Sequence, residues 1–529
     1  MPYRLFRSVG GRFSTLLLAA VLAACGTSTS SSPAPTTAQA PTAATSQSAI
    51  KVVPQASWAD AVLYFVILDR FADGDTRNDR AVNIRQKGTF HGGDLAGLRQ
   101  QLDEIASLGA TAIWITPVVD QIDGFVTGAG FPDWGYHGYW ADDFSKIDPR
   151  FGTEEELKAL VDEAHARGMK VLLDVVYNHA GYESKYVTDP RTSGWLRVGG
   201  SCGTDDLTLC VAGLPDFKTE QPEVADFVMK SQIERAKRVG LDGFRLDTVK
   251  HVDHPFWQEH RRRTREQIAK DFFLVGEVWG GDAGSLDPWF AGDEMDAGFD
   301  FSFQGSVLGW LQGRGRTVAF DRYLKSREKV RQGYLLSQYL SSHDVKGALS
   351  ILEGDKELFR LAALLQLTTQ GMPMIFYGEE VGRLGGDWPD NRSDMPWGDR
   401  AIQPGAGQPR DEALREDYRR LIAIRRAHPA LSRAPHTAVS SEGDLLVFLR
   451  RDEASGGTGD VVVVAVNRGS APATASFDAP AEWKDGPVRD FWKGEDVSRS
   501  GDSGGRIEVT VGPRDARILG VAPTPQGGA

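Results

Sequence analysis

The sequence predicts a (β/α)8 TIM barrel, interrupted by a small inserted domain and followed by an antiparallel β-sandwich. Three observations carry this. Short apolar runs alternate with amphipathic stretches about eight times over roughly 360 residues, the texture of a parallel sheet covered by helices. Polar and acidic residues follow the runs at their C-terminal ends: Asp69, Asn178-His179, Asp247, Glu277 and His343-Asp344. A closed barrel gathers every strand C-terminus on one face, so these scattered residues would converge there. Beyond about Pro435, short runs alternate between Gly, Ser, Asp and Pro turns, as in a sandwich.

Residues 1–24 carry Arg4, Arg7 and Arg12, no acid, and an apolar run from Phe13 to Ala24. The run is too short to span a bilayer comfortably and has the layout of a secretory signal. It ends Leu22-Ala23-Ala24-Cys25-Gly26, which resembles the bacterial lipobox, with Cys25 as the lipidated residue. The expectation is an exported protein, lipid-anchored to a bacterial membrane in the cell envelope or periplasm, or extracellular. Residues 25–56 are mainly Ser, Thr, Ala, Pro and Gln and cannot bury enough surface to fold, so they read as a flexible tether.

The barrel is expected over 57–430. Its strand-like runs are Val62–Leu68, Ala112–Thr116, Lys170–Val176, Gly243–Leu246, Phe272–Val275, a weak sixth near Ala297–Phe301, Leu335–Leu340 and Met374–Phe376. Amphipathic stretches such as Gly97–Leu108, Glu154–Arg167 and Val224–Val239 lie between them. The long interval 180–220 reads as an inserted domain, because long structured loops on a barrel are usually functional. It holds Cys202 and Cys210 in a polar, Gly-containing loop, close enough to pair in an oxidising compartment. The sandwich is expected over 431–529, with strands at Leu445–Leu449, Val461–Val466, Ala473–Phe477 and Arg506–Val511.

Sixty basic against 72 acidic residues give a net charge of −12. That disfavours nucleic acid and anionic membrane surfaces, leaving membrane contact to the N-terminal lipid alone, and a monomer is expected. Thirteen Trp suit stacking on the flat apolar faces of ligands. Three Cys are too few for a disulfide scaffold.

Two carboxylates stand out chemically. Asp247 lies two residues from Arg245 in Gly243-Phe244-Arg245-Leu246-Asp247; on a strand the two share a face, and a guanidinium keeps a carboxylate ionised, as a nucleophile requires. Glu277 follows an apolar run and precedes Trp279, surroundings that raise a carboxyl pKa and suit a general acid. Two carboxylates in opposed environments are the apparatus of glycoside hydrolysis.

Five motifs in order sharpen this: Asp174-Val175-Val176-Tyr177-Asn178-His179, Leu214-Pro215-Asp216-Phe217, Gly243 through His251, Gly276-Glu277-Val278-Trp279, and Ser341-Ser342-His343-Asp344. Together they resemble the α-amylase family of retaining glycoside hydrolases (glycoside hydrolase family 13), over roughly residues 58–525. The resemblance implies the barrel with a domain B and a C-terminal sandwich. It also implies Asp247 as nucleophile, Glu277 as acid and base, and Asp344 as the carboxylate that bonds sugar hydroxyls and distorts the ring. Arg245 would orient Asp247. Tyr136, in the motif Tyr136-His137-Gly138-Tyr139-Trp140, would stack on the sugar. His137, His179 and His343 would bond its hydroxyls, Lys250 and His251 would reach the leaving-group side, and Arg392 would lie near the donor sugars. The acidic residue that usually precedes Pro389 is here Trp388, with Asp387 one further back, so its role is not carried over.

The same resemblance implies calcium (Ca2+), whose hard oxygen ligands would be Asn178, Asp216 and the His251 carbonyl. A second calcium loop would comprise Asp73, Asp75, Asn78 and Asp79 with Gly92 and Asp94. The expected activity is hydrolysis of α-1,4-glucosidic bonds in starch, glycogen or maltodextrins. The alternative is cyclomaltodextrinase-like, neopullulanase-like or glucanotransferase activity on α-glucans. A non-catalytic glucan-binding protein is disfavoured by the intact Asp247, Glu277 and Asp344.

Overall fold

The computed structural model describes residues 55–128, 130–452, 459–484, 486–500 and 505–521. Cys25 and nearly all of the expected leader and tether lie outside these residues. Eight strands form the central sheet: β1 (Leu63–Val66), β2 (Ala112–Ile115), β3 (Lys170–Val175), β4 (Gly243–Leu246), β5 (Phe273–Gly276), β6 (Ala297–Asp300), β7 (Leu335–Tyr339) and β8 (Met372–Phe376). They close into a barrel in the order β1-β8-β7-β6-β5-β4-β3-β2, every neighbour parallel. Every residue of β1, β2, β4, β5, β6 and β8 is buried. Both faces are covered, which is why β1, β2, β5 and β8 read as continuous apolar runs, while β4 and β6 also bury Arg245 and Asp300. Side chains fill the barrel: Phe65 stacks on Trp114 with ring centroids 3.6 Å apart and on Phe376 at 5.1 Å.

Helices cover the outside. The helix Glu154–Ala166 starts in a capping box between Thr153 and Glu156 and buries Leu157, Leu160, Val161 and Ala164, one stripe at helical spacing. Pro222–Val239 has Pro in its first turn and stops at Gly240, whose φ of 80° ends the helix. The expected single helix Gly97–Leu108 is instead two, Leu95–Gln100 and Leu102–Leu108. Asp94 caps the first by accepting from Gly97 N at 2.7 Å, so the chain turns helical earlier than its apolar spacing implied. The first strand also stops short of Leu68, where a helical turn, Leu68–Phe71, begins.

Between β3 and the helix Pro222–Val239 the chain makes the inserted domain, with a two-stranded pairing of Leu196–Arg197 against Asp216–Phe217. His179 bridges to Asp216, tying this insert to the end of β3. Cys202 and Cys210 are joined as a disulfide, Cα atoms 5.5 Å apart.

The C-terminal region is an antiparallel sandwich of strands β9 (His436–Glu442), β10 (Leu445–Arg451), β11 (Val461–Asn467), β12 (Ala473–Asp478), β13 (Val488–Asp490), β14 (Glu495–Val497), β15 (Arg499–Ser500), β16 (Arg506–Val511) and β17 (Asp515–Val521). One sheet runs β9-β10-β11-β17-β13-β14 and the other β12-β16-β15. The strands that apolar alternation missed are β9, β13, β14, β15 and β17. Two of them, β9 and β14, are edges with polar exposed residues, and the central β17 carries Arg517, which pairs with Asp490 and Glu495 of β13 and β14.

Candidate active site

The site lies where the strands of the barrel end. Arg245, buried on β4, holds three carboxylates with one guanidinium. Its Nη1 lies 2.5 Å from Asp247 Oδ1 and 3.1 Å from Asp174 Oδ1, and its Nη2 lies 3.2 Å from Glu277 Oε2. Asp344, past the end of β7, accepts from Arg392 Nη2 at 3.3 Å and has His343 Nε2 3.2 Å away. The sequence-derived trio Asp247, Glu277 and Asp344 therefore comes together around Arg245 and Arg392.

Three buried acids, Asp174, Asp247 and Glu277, share the single guanidinium of Arg245, so a proton on one of them relieves the surplus negative charge. Burial raises the Glu277 pKa to about 8; Arg245 opposes the rise and the charges of Asp247 and Asp344 add to it. Its carboxylate receives a single backbone N–H, from Thr248 at 2.9 Å. Asp174 is also raised by burial, to about 7, against Arg245. Its oxygens, however, receive the Tyr139 hydroxyl at 2.7 Å and Trp114 Nε1 at 3.1 Å beside the guanidinium, donors that favour the ion. The proton thus belongs on Glu277. For Asp344, burial works against ionisation, but His343, Arg392 and Arg245 outweigh it and its pKa is lowered. Burial pushes His343 down to about 3, so its ring adds positive charge only in acid, and above that Arg392 and Arg245 alone hold the Asp344 charge.

The Tyr139 hydroxyl hydrogen goes to Asp174, so Tyr139 O accepts from His343 Nε2–H at 3.0 Å. This sets the His343 tautomer and leaves Nδ1 as an acceptor, buried and without a partner. His137 Nδ1 accepts from Tyr139 N at 3.1 Å, leaving Nε2 to carry its hydrogen. His179 is buried with Nε2 unpartnered. Tyr136 is 1% exposed, with the Arg70 guanidinium 3.7 Å over its ring. The expected sugar-stacking ring is thus almost wholly closed off. Arg392 Nε donates to the His343 carbonyl at 2.9 Å.

Lys250 and His251 sit in a turn directly behind Glu277, whose carbonyl accepts from Val249 N at 2.9 Å. Both reach the inserted domain: His251 Nδ1 lies 2.7 Å from the Asp206 carbonyl and Lys250 Nζ 3.6 Å from Asp206 Oδ1. Trp279, offered by the sequence as the apolar neighbour of Glu277, is 53% exposed and packs on Phe301. The apolar wall beside Glu277 is made instead by Phe299, Phe301 and Tyr339. Asp69 takes no part; it accepts from the backbone of His91 and Gly92 and pairs with Arg70.

Sequence reasoning missed Tyr139, Trp114 and the role of Asp174. Tyr139 and Asp174 lay inside quoted motifs, so the signal was there. Trp114 sits in an apolar strand and nothing local marks its indole N–H.

Among the described residues, no group of three or more His, Cys, Asp and Glu is placed to hold a metal, but amide and carbonyl oxygens extend two donor sets. Asn178 Oδ1 lies 3.0 Å from the His251 carbonyl oxygen and 3.1 Å from Asp216 Oδ1. Either the amide is turned round, or the three oxygens face a cation. Arg197 already pairs with the other Asp216 oxygen at 2.8 Å. In the second set Asp73, Asn78 and Asp79 each have a buried Oδ1 without a donor. A Cβ at Gly92 would lie 2.9 Å from Asp79 Oδ1. Asp75 and Asp94 do not join them with free oxygens: Asp75 turns to Arg77, and Asp94 accepts from Gly74, Asp75, Gly97 and Asn78.

Comparison with known proteins accords with this geometry. Residues 65–197 and 204–420 match the family model of the alpha amylase catalytic domain, and 443–521 match the alpha galactosidase C-terminal beta sandwich domain. The chain is 32% identical over 495 residues to neopullulanase 2 of Thermoactinomyces vulgaris, covering 87% of this chain and 78% of that one. It is 31% identical over 449 residues to a cyclomaltodextrinase of Bacillus sp, covering 80% and 75%. The crystal structure of an Anoxybacillus alpha-amylase superposes with a TM-score of 0.76 at 29% identity, over 89% of this chain and 99% of that one.

Proposed function

The chain belongs to the α-amylase family of glycosidases, and from that premise we propose that it hydrolyses α-1,4-glucosidic bonds of starch, glycogen or maltodextrins by double displacement. The observation that carries this is the guanidinium of Arg245 shared by two carboxyls: Nη1 lies 2.5 Å from Asp247 Oδ1 and Nη2 3.2 Å from Glu277 Oε2, while burial raises Glu277 to about 8. Asp247 attacks the anomeric carbon and forms the glycosyl-enzyme. Glu277 gives its proton to the leaving oxygen and then takes one from water. Sharing one guanidinium fits the short carboxyl spacing of about 5–5.5 Å used by retaining enzymes. Asp344, His137, His179 and His343 offer acceptors and donors to the hydroxyls of the sugar being cut, with Arg392 alongside. Lys250 and His251, behind the acid, face the leaving group.

Calcium belongs to the same reading. Asn178, Asp216 and the His251 carbonyl would hold one ion between inserted domain and barrel. Asp73, Asn78 and Asp79, whose orphaned oxygens support it, would hold a second with the Gly92 carbonyl. A bound calcium supplies fixed positive charge that offsets clustered acids. The leader and Cys25 support export as a lipoprotein, tethered so that the enzyme works at a membrane surface.

A second reading is glucan transfer or cyclomaltodextrin hydrolysis. It is favoured by the exposed Trp279 ring, packed on Phe301, which itself lines the pocket of Glu277, a platform on which an acceptor sugar can stack. The names of the relatives, neopullulanase and cyclomaltodextrinase, point the same way. Proton NMR of maltotetraose digestion tests the main reading. Early α-anomeric products no longer than the substrate support it. An early β-anomer excludes double displacement, and longer or cyclic glucans as the main products move the assignment to transfer.

A further inference from the structure

The loop closed by Cys202–Cys210 is braced from within and turned outward at one residue. Gly203 N donates to the Thr208 carbonyl at 2.8 Å. The Asp205 carboxylate accepts from Leu207 N and Thr208 N at 3.0 Å and from Thr208 Oγ1 at 2.8 Å. Asp206, between these, points both its carbonyl and its carboxylate at the turn behind Glu277. The carbonyl meets His251 Nδ1 at 2.7 Å, and the carboxylate meets Lys250 Nζ at 3.6 Å.

The consequence is chemical. A carbonyl only accepts, so His251 Nδ1 must carry a hydrogen, and in the neutral ring Nε2 is then an acceptor. Lys250 remains a donor. Both belong to the turn Val249–His251, and that turn is bonded to Glu277 through Val249 N and Thr248 N. An acceptor and a donor are thereby held at fixed places on the side where Glu277 delivers its proton. A leaving or incoming sugar presents hydroxyls that both donate and accept, and it matches that pair.

We propose that the disulfide-closed loop is a positioning device for the leaving-group side, with Asp206 as its positioning residue: it orients His251 and Lys250 toward the sugar beyond the scissile bond. This rests on the α-glucan hydrolase reading and adds to it the element that governs how the second sugar is held. The disulfide limits the conformations of an eight-residue separation, so that the Asp206 carbonyl stays where His251 needs it. Opening the bond frees the carbonyl without touching any group that meets the reacting carbon.

Two substrates separate this role from general support. Maltotetraose places sugars on the leaving-group side, whereas α-maltosyl fluoride places none there. The full-length protein, loaded with calcium, is assayed oxidised, after reduction and thiol blocking, and as Asp206→Ala. Reduction should lower kcat/KM for maltotetraose roughly tenfold, mostly through KM, the size expected for one lost hydrogen bond. Asp206→Ala, which keeps the carbonyl, should lower it only about two- to threefold, as for an exposed ion pair. Turnover of the fluoride should stay within about twofold in both. Equal losses on both substrates would mean that the loop only supports the fold, and unchanged maltotetraose kinetics after reduction would remove any role; either result overturns the proposal. Failure of the oxidised enzyme to turn over the fluoride would instead strike at the hydrolase reading itself, and this inference would fall with it.

Discussion

Thr248 donates its backbone N–H to Glu277 Oε2 at 2.9 Å, and it does so from the left-handed region, at φ 49°. A β-branched residue rarely adopts that conformation, and it costs about 1–3 kcal/mol. Its hydroxyl is buried without a partner. The strain therefore sits on the residue that positions the acid.

Asn tolerates the left-handed region better than Thr. Thr248→Asn should raise unfolding stability by about 1 kcal/mol, measured by chemical denaturation, while retaining activity because the N–H remains. A variant no more stable than the wild type would show that the surroundings hold this turn without strain.

Glu277 links stability to pH with a definite sign. Its ordinary pKa is 4.5, and in the fold it is raised to about 8. Between those values the unfolded chain binds fewer protons than the folded one, so this group makes stability fall as pH rises. Glu277→Gln should abolish most activity, by a factor of about 10³ or more, yet be more stable at neutral pH by on the order of 2 kcal/mol. The advantage should shrink toward pH 4.5, the ordinary value of the carboxyl. In the wild type, kcat/KM should hold below about pH 8 and fall above it, as the acid loses its proton. A stability gap that is flat with pH would place the proton elsewhere.

Calcium held at the two proposed sites would stabilise the fold by mass action, because those sites exist only in the folded state. Chelation should lower Tm. Asn178→Ala and Asp79→Ala should each remove part of that response, and the double variant nearly all of it. Metal analysis finding one ion per chain, lost only in Asp79→Ala, would mean that Arg197 has taken over the Asp216 site.

Trp279 is the platform on which the second reading rests. Trp279→Ala should reduce any transfer products from concentrated maltotriose by severalfold with a smaller effect on hydrolysis, because one stacking platform contributes about 1 kcal/mol. Product ratios unaffected by the change would place the acceptor on another surface.

Cys25 is the remaining test of location. In a bacterial host that processes lipoproteins, the protein should partition into membranes and Cys25→Ser should release it, since a doubly acylated terminus anchors stably. Soluble mature protein with Cys25 intact would refute the anchor.

The barrel was legible because a buried parallel strand needs apolar residues on both faces, and β1, β2, β5 and β8 show that in a few consecutive letters. The convergence of the proposed reacting groups was legible for a related reason: Asp247, Glu277 and Asp344 each follow such a run, and closure of the barrel brings those ends together. The polar edges of the sandwich were not, since β9 and β14 pack one face or none and carry no alternation to read.

What the sequence determined by itself was the identity of the groups, their order along the chain and the topology that gathers them. Only the tertiary structure decided their states. The proton rests on Glu277 because Asp174 receives donors from Trp114 and Tyr139, residues 60 and 35 positions away. Tyr139 also fixes the tautomer of His343, 204 positions away. Asp206 reaches His251 across 45 positions. A pKa or a tautomer is set by charge, burial and hydrogen bonding within a few ångströms, and those neighbours come from strands and loops that the linear chain keeps far apart.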